Sequence, residues 1–213
     1  MSSYVSLAKL AVETYVAEGK IISSSNDLPA APSGEARPWR EELLKRKAGT
    51  FVTIEKAGSL RGCIGTYLPT KENIAKEIIQ NAIAAATEDY RFGSIQKTEL
   101  PYLSYTVYLL NKPELVKDIS QLDPKKYGII VKTAPIASPR PIGRGSPLTT
   151  SEAANRTDVV FNGRIPYKSG LLLPNLEGID TVEKQISVAC QKGEIDPRTE
   201  KIIIYKFTVE KYE

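Results

Sequence analysis

The chain has 213 residues, of which 41% are hydrophobic and 25% charged, and it carries a net charge of +4 at pH 7. This composition is typical of a globular protein, and so small a charge does not indicate nucleic-acid binding unless it is clustered. The sequence contains no histidine, which excludes Ser-His-Asp and Cys-His catalysis and the usual zinc sites. No carboxylate pair has the spacing of a metal-binding loop, so we expect neither a metal ion nor a cofactor.

The two cysteines, Cys63 and Cys190, are too few for a disulfide framework and indicate a reducing compartment. No apolar run approaches the ~20 residues needed to span a bilayer. Lys9, Glu13 and Glu18 interrupt the first apolar pattern, which argues against a signal peptide. We therefore expect a cytoplasmic protein without a membrane partner.

Periodic apolar residues and turn signals predict four helices and six strands. The predicted helices cover residues 4–18, 38–47, 71–87 and 180–192, and the predicted strands cover residues 50–56, 60–66, 103–110, 127–132, 170–173 and 200–211. Gly19 should end the first helix, Thr70 should cap the third, and Asp180 with Glu183 should form a capping box for the fourth. Cys190 falls on the apolar stripe of the fourth helix and should be a core residue.

The order of these elements shows hairpins with interspersed helices and no regular βαβ alternation. It predicts an α+β fold with one mainly antiparallel sheet flanked by helices. The first two strands should form a hairpin through Ala57, Gly58 and Ser59.

The second predicted strand carries the heptad Leu60-Arg61-Gly62-Cys63-Ile64-Gly65-Thr66. Side chains alternate along a strand, so Leu60, Ile64 and Thr66 should share one face with Gly62, while Arg61 and Cys63 share the other. A cation at that position should lower the pKa of the thiol. Gly65 has no side chain, so a ligand could approach the backbone there.

Each of these residues also has a structural interpretation. Cys63 could be an activated thiolate or a small side chain in a packed strand. Arg61 could bind an anion, or it could bridge to Asp89 or another carboxylate. Gly62 and Gly65 could admit a ligand, or they could mark a bulge or a close helix crossing. Arg91 could share a pocket with Arg61 or lie on the surface.

The heptad resembles the signature of the AMMECR domain family. Three further stretches extend the resemblance: Asp89-Tyr90-Arg91-Phe92, Gly170-Leu171-Leu172-Leu173-Pro174 and Gly178-Ile179-Asp180-Thr181-Val182-Glu183-Lys184-Gln185. The last two together look most like the prokaryotic branch, component A of the AmmeMemoRadiSam system. The resemblance implies one AMMECR-like domain over residues 1–213, with a larger and a smaller subdomain and a cleft between them. It also implies Memo-type proteins and a radical SAM enzyme as partners.

The chain departs from the family pattern at residues 134–164, where the prokaryotic branch has a short hairpin. These residues include four prolines and four arginines, and so long a loop is usually functional or flexible.

The family has no settled biochemical activity, so the function rests on the residues. The candidate ligand-binding residues are Arg61, Gly62, Cys63, Gly65, Thr66, Asp89 and Arg91. The favoured hypothesis is a binding or adaptor component in which Arg61 holds an anionic group of a small ligand or a partner. A second hypothesis is a group-transfer enzyme with Cys63 as nucleophile or Arg61 as electrostatic stabiliser. A third, a nucleic-acid-associated protein using the arginine-bearing loop, is disfavoured by the modest net charge.

Overall fold

The computed structural model describes residues 2–23, 28, 38–134 and 168–213 of the chain. They divide into a larger unit, Met1–Lys112 with Val209–Glu213, and a smaller unit, Pro113–Thr208. Each unit has its own sheet and core. Except for Ala134, the arginine-bearing loop predicted at residues 134–164 lies outside the described residues.

The described part of the larger unit contains three α-helices. They are α1 (Ser3–Glu18), α2 (Pro38–Lys45) and α3 (Ile74–Thr87). Gly19 ends α1 with a left-handed φ of 70° and donates its N–H to the Tyr15 carbonyl, as predicted. The predicted cap of α3 was wrong, because the side chain of Asn73, not Thr70, accepts the Lys76 N–H at the helix start. Thr70 instead donates its N–H and its hydroxyl to the carboxylate of Glu77.

The larger unit contains a four-stranded sheet in the order β2-β1-β3-β8, with antiparallel pairing throughout. Its strands are β1 (Gly49–Lys56), β2 (Ser59–Gly65), β3 (Leu103–Leu110) and β8 (Val209–Tyr212). The hairpin between β1 and β2 turns at Ala57 and Gly58, whose φ values of 51° and 77° are those of a two-residue type I′ turn. One face of the sheet, including Val52, Ile54 and Val107, is fully buried in a core with residues of α1 and α3.

The smaller unit contains a second four-stranded sheet, in the order β4-β7-β5-β6. Its elements are β4 (Glu114–Leu115), β5 (Gly128–Thr133), β6 (Ser169–Leu172), α4 (Val182–Lys192) and β7 (Ile202–Phe207). The core joins α4 to this sheet and includes Cys190, which is 2% exposed, as predicted. The cap of α4 is Thr181, whose hydroxyl accepts the Lys184 N–H, so the predicted capping box of Asp180 and Glu183 was misplaced by one residue.

The α+β class and the antiparallel pairing are confirmed, but the single main sheet is replaced by two sheets. The last predicted strand, residues 200–211, was also wrong. It is two strands that pair in different sheets, β7 and β8, with Thr208 between them. Among the described residues, no helix is both long enough and apolar enough to cross a bilayer.

Candidate functional site

The strand β2 contains a β-bulge that changes the predicted faces of the heptad. Ile54 of β1 lies opposite Gly62, whereas Glu55 lies opposite Leu60, so Arg61 is the extra residue. The bulge moves Leu60 to the face opposite Gly62 and leaves its side chain 42% exposed. The expectation that Leu60 shares a face with Gly62 was therefore wrong, since a bulge interrupts the two-residue period.

The space beside both glycines of the heptad is filled from within the chain. A Cβ atom on Gly62 would lie 2.1 Å from the Ala85 carbonyl oxygen in α3. A Cβ atom on Gly65 would lie 2.3 Å from Cγ of the Phe51 ring. Glycine is required at both positions because a helix backbone and an aromatic ring approach closely. A ligand contact at Gly62 or Gly65 stays a prediction.

Arg61 forms a bidentate ion pair with Glu99. Its Nε and Nη2 each donate to a Glu99 oxygen over 3.0 Å, and its Nη1 donates to the Gly93 carbonyl over 2.8 Å. The Arg61 side chain is only 17% exposed. The hydrogen bonds from Arg61, with those from the Gln96 amide and Lys56, lower the pKa of Glu99 to about 2. All three guanidinium nitrogens of Arg61 are thus engaged within the chain.

A second group of polar residues surrounds Cys63, and we call it the Cys63–Asp89–Arg91 cluster. The Cys63 N–H points away from β1 and donates to Asp89 Oδ2 over 2.8 Å. Cys63 and Thr53 are therefore a non-hydrogen-bonded cross-strand pair with closely spaced side chains, and the Thr53 hydroxyl donates to Cys63 Sγ over 3.4 Å. Asp89 covers the edge of β2 at this point and is 4% exposed.

Asp89 also fixes the orientation of Arg91. Arg91 donates from Nε to Asp89 Oδ1 over 2.9 Å, from Nη2 to Oδ2 over 2.7 Å, and from its backbone N–H to Oδ1 over 3.3 Å. The hydrogen bonds from Arg91, together with the one from the Cys63 N–H, lower the pKa of Asp89. The same bonds to Asp89 raise the pKa of Arg91. The Arg91 Cζ lies 5.4 Å from the Phe92 ring centroid. The Arg91 guanidinium is therefore held by Asp89 along its Nε and Nη2 edge and by the Phe92 ring on one face.

Arg91, unlike Arg61, retains donors that face outward. Its side chain is 44% exposed, and among the described residues its Nη1 has no hydrogen-bond partner. Its charge interacts electrostatically with Cys63. Arg61 pairs with Glu99, and Arg91 pairs with Asp89, so the two arginines form separate ion pairs. The sequence alone did not indicate which carboxylate each arginine would bind.

The sheet face around Cys63 is half-buried. Thr53 and Phe51 of β1 lie opposite Cys63 and Gly65, and Tyr108 of β3 lies opposite Phe51. Burial raises the pKa of Tyr108, and the positive charge of Lys211 partly offsets that rise. Sequence reasoning missed Thr53 and Tyr108, although the alternation of Phe51 and Thr53 on β1 could have indicated them.

Thr66, the last residue of the heptad, belongs to a hydrogen-bond network centred on the buried carboxylate of Glu77. The Thr66 hydroxyl donates to Glu77 Oε1 over 2.5 Å, and the Thr70 hydroxyl donates to the same oxygen over 2.9 Å. The backbone N–H groups of Thr70 and Lys71 donate to Oε2 over 2.8 and 2.7 Å. Glu77 is 1% exposed and was missed because it interrupts an apolar helix stripe without any sequence signal. The network fixes the segment between β2 and α3.

The cluster offers an oriented cation and a thiol but no evident general base. Both oxygens of Asp89 already accept hydrogen bonds, from Cys63 and Arg91. Across the part of the chain that the structure describes, no group of three or more histidine, cysteine or acidic residues could hold a metal ion. The arrangement suits the binding of an anionic group better than proton transfer.

Two antiparallel sheets with flanking helices, and a glycine-rich edge strand bearing this cluster, define an α+β protein with two units. The chain matches the AMMECR1 family model over residues 5–212 and belongs to that family. It is 43% identical to a Thermotoga maritima protein over 210 residues, covering 98% of this chain and 96% of the relative.

A longer relative and a crystal structure extend the comparison. Protein CA_C1420 of Clostridium acetobutylicum is 37% identical over 209 residues, covering 98% of this chain but only 35% of that relative. The crystal structure of the uncharacterized protein PH0010 from Pyrococcus horikoshii is similar, with a TM-score of 0.71 and 26% identity. That match covers 98% of this chain and 88% of the Pyrococcus chain. Neither protein's description states an activity.

Proposed function

We propose that this protein is a binding component whose Cys63–Asp89–Arg91 cluster holds an anionic group of a ligand or a partner protein. The observation that carries the proposal is the geometry of Arg91. Asp89 occupies the edge formed by Nε and Nη2, which leaves the edge formed by Nη1 and Nη2 for a second acceptor. A planar guanidinium can donate two parallel hydrogen bonds from that edge to a carboxylate or phosphate.

The cluster is also preorganised. Asp89 is anchored by the Cys63 N–H, so the guanidinium is oriented before an anion arrives. A side chain that is already ordered loses less conformational entropy on binding than a free surface arginine does. This supports a role for Arg91 as the binding residue in place of Arg61, which is engaged with Glu99.

We further propose that the protein works as an adaptor with Memo-type and radical SAM proteins. The resemblance to component A of the AmmeMemoRadiSam system supports this, and such partners would carry the harder chemistry. The Clostridium relative adds support, since most of that protein lies outside the match and the domain there is joined to further sequence. A cytoplasmic location is supported by the two cysteines, neither of which forms a disulfide.

The test compares two arginines of similar local geometry. Arg91→Ala removes the proposed contact, and Arg198→Ala is the matched control, because Arg198 also pairs with an aspartate two residues earlier but is 89% exposed. The Memo-type and radical SAM proteins encoded in the same genome are purified and titrated into each variant by calorimetry. Arg91→Ala should weaken binding at least about tenfold, or ~1.4 kcal/mol, whereas Arg198→Ala should leave it unchanged. Absence of binding by the parent protein, or equal effects of both variants, would contradict the proposal.

One observation favours the group-transfer enzyme as a second candidate. The Cys63 sulfur accepts a hydrogen bond from the Thr53 hydroxyl and interacts with the positive charge of Arg91. Reactive thiols have electropositive surroundings of this kind. Cys63→Ser separates the two candidates. A binding component should retain its partner affinity with serine at this position, because Cys63 anchors Asp89 through its backbone N–H. A cysteine nucleophile should lose its activity.

A further inference from the structure

Tyr90 is the most exposed large hydrophobic residue in the part of the chain that the structure describes, at 96%. It lies between Asp89, which is buried, and Arg91, whose guanidinium Asp89 holds. None of the contacts described above needs the phenol ring, and an exposed ring of this size keeps apolar surface in water. A single exposed apolar side chain is common on protein surfaces, so exposure alone does not mark a binding site. What distinguishes Tyr90 is its position beside the oriented Arg91 on a turn that is fixed to the sheet.

The backbone that carries Tyr90 is fixed on both sides. The Phe92 N–H donates to the Asp89 carbonyl over 2.9 Å, which closes a turn with Tyr90 and Arg91 at its two central positions. The Asp89 side chain accepts the Arg91 N–H within the turn and the Cys63 N–H of β2. The turn is thus tied to the sheet, and the Tyr90 ring projects from a rigid base with only two side-chain torsions to order on binding.

We propose that Tyr90 and Arg91 form a docking knob for a protein partner. The partner's surface would offer an apolar pocket for the Tyr90 ring, beside an aspartate or glutamate that binds the Nη1 and Nη2 edge of Arg91. This docking rests on the proposed function, because Arg91 is again the residue that binds an anion. Here the anion is a carboxylate on the surface of a folded protein. Tyrosine and arginine are the residue types that dominate the binding energy of protein interfaces.

The surroundings of the knob favour a protein over the other anionic partners. A ring that is 96% exposed cannot be the wall of a small-molecule pocket, so a concave partner must supply the enclosure. Glu88 is exposed next to the turn and Lys97 is exposed a few residues later, so the local charge is balanced. A continuous polyanion such as RNA would meet Glu88 as well as Arg91, whereas a single carboxylate can pair with Arg91 alone.

The experiment begins with a photo-cross-linking amino acid placed at position 90 of the full chain in its native host. The matched control carries the same amino acid at position 102, since Tyr102 is also exposed, at 67%, in the larger unit. The protein cross-linked at position 90 is identified, its contact peptide is mapped, and the complex is reconstituted from two purified proteins. Selective cross-linking at position 90, to a peptide with an acidic residue, is the expected result.

Affinities of the reconstituted complex then test the two side chains separately. Tyr90→Ala should weaken binding at least tenfold, Tyr102→Ala less than twofold, and Arg91→Glu should be rescued when the mapped acidic residue of the partner is changed to lysine. If Arg91→Ala weakens binding but Tyr90→Ala does not, the docking knob is overturned while the proposed function stands. No selective cross-link at position 90 overturns it, as does Tyr90-dependent binding of a single-stranded RNA oligonucleotide without a protein partner.

Discussion

Arg61 and Glu99 meet in a side-on arrangement, with Nε and Nη2 of the arginine each 3.0 Å from one oxygen of the carboxylate. The two residues are 38 positions apart, with α3 and the turn after it between them, so this pair ties β2 to the 3₁₀ helix Lys97–Tyr102. Both side chains are mostly shielded from water, at 17% and 14% exposure. Removing one partner of a pair so placed costs more than removing one from an exposed pair, because the remaining charge is left shielded from water without its partner.

Arg61→Lys should lower the free energy of unfolding by about 1–3 kcal/mol, since lysine cannot supply the second carboxylate bond and the bond to the Gly93 carbonyl. Urea denaturation measures the change. Lys56→Ala is the control, because Lys56 binds the same Glu99 carboxylate but is 43% exposed, and it should cost less than about 1 kcal/mol. If Arg61→Lys kept its stability but lost partner binding, Arg61 would be a binding residue and not a structural one.

The same ion pair predicts a pH dependence of stability. Folding lowers the pKa of Glu99 from 4.5 to about 2, so its contribution is fully present above pH 4.5 and is lost as the pH falls towards 2. Glu99→Gln removes this contribution. The difference in unfolding free energy between the parent and Glu99→Gln should therefore shrink as the pH is lowered through that window. A difference that stays constant over this range would show that the carboxylate charge does not stabilise the fold.

The fold was predictable wherever a pattern is local. Leu103–Leu110 was predicted to the residue because its alternation is uninterrupted, and Gly19 ends α1 because a left-handed cap favours glycine. The change of sheet at Thr208 was not predictable, since strand-forming residues continue on both sides of it. Pairing partners in a sheet depend on contacts distant in sequence, which propensity does not encode.

The sequence identified Cys63, Asp89 and Arg91 of the cluster but not the ion pairs of the two arginines. The heptad and Asp89-Tyr90-Arg91-Phe92 do meet, through the bond from the Cys63 N–H to Asp89. Glu99 lies 38 positions from Arg61, so its pairing with Arg61 depends on tertiary structure that the sequence does not reveal. The role of Glu77 was not predicted, because a single carboxylate in an apolar helix stripe does not indicate which groups donate hydrogen bonds to it.

Gly62→Ala should strongly destabilise the larger unit. The new methyl group would lie 2.1 Å from the Ala85 carbonyl oxygen, so β2 and α3 must move apart, at a cost of about 2 kcal/mol or more. Gly93→Ala is the matched control, since a Cβ atom there meets nothing within 4 Å. Thermal and urea melts of the two variants should differ clearly. Equal stability of the two would show that the strand and helix can separate without cost.

Glu77→Ala should loosen the segment between β2 and α3. The substitution removes both carboxylate oxygens, so the N–H groups of Thr70 and Lys71 lose their acceptor, at a cost of about 2–4 kcal/mol. Glu72→Ala is the control, because its side chain is 77% exposed and pairs with Lys76 at the surface. Hydrogen exchange at the Thr70 and Lys71 amides should accelerate in Glu77→Ala alone. Unchanged exchange would show that other contacts hold the segment.

The two cysteines should differ in their reaction with iodoacetamide in the native protein. Cys190 is 2% exposed and its burial raises the pKa of the thiol, so it should react only after unfolding. Cys63 is partly exposed, but the chain has no histidine and both Asp89 oxygens accept other hydrogen bonds. We expect Cys63 to react no faster than free cysteine at the same pH, with Cys63→Ser used to assign the adduct by mass spectrometry. Labelling of Cys63 well above the rate of free cysteine would favour the group-transfer enzyme over the binding component, because a packed strand residue without a base should not be an activated nucleophile.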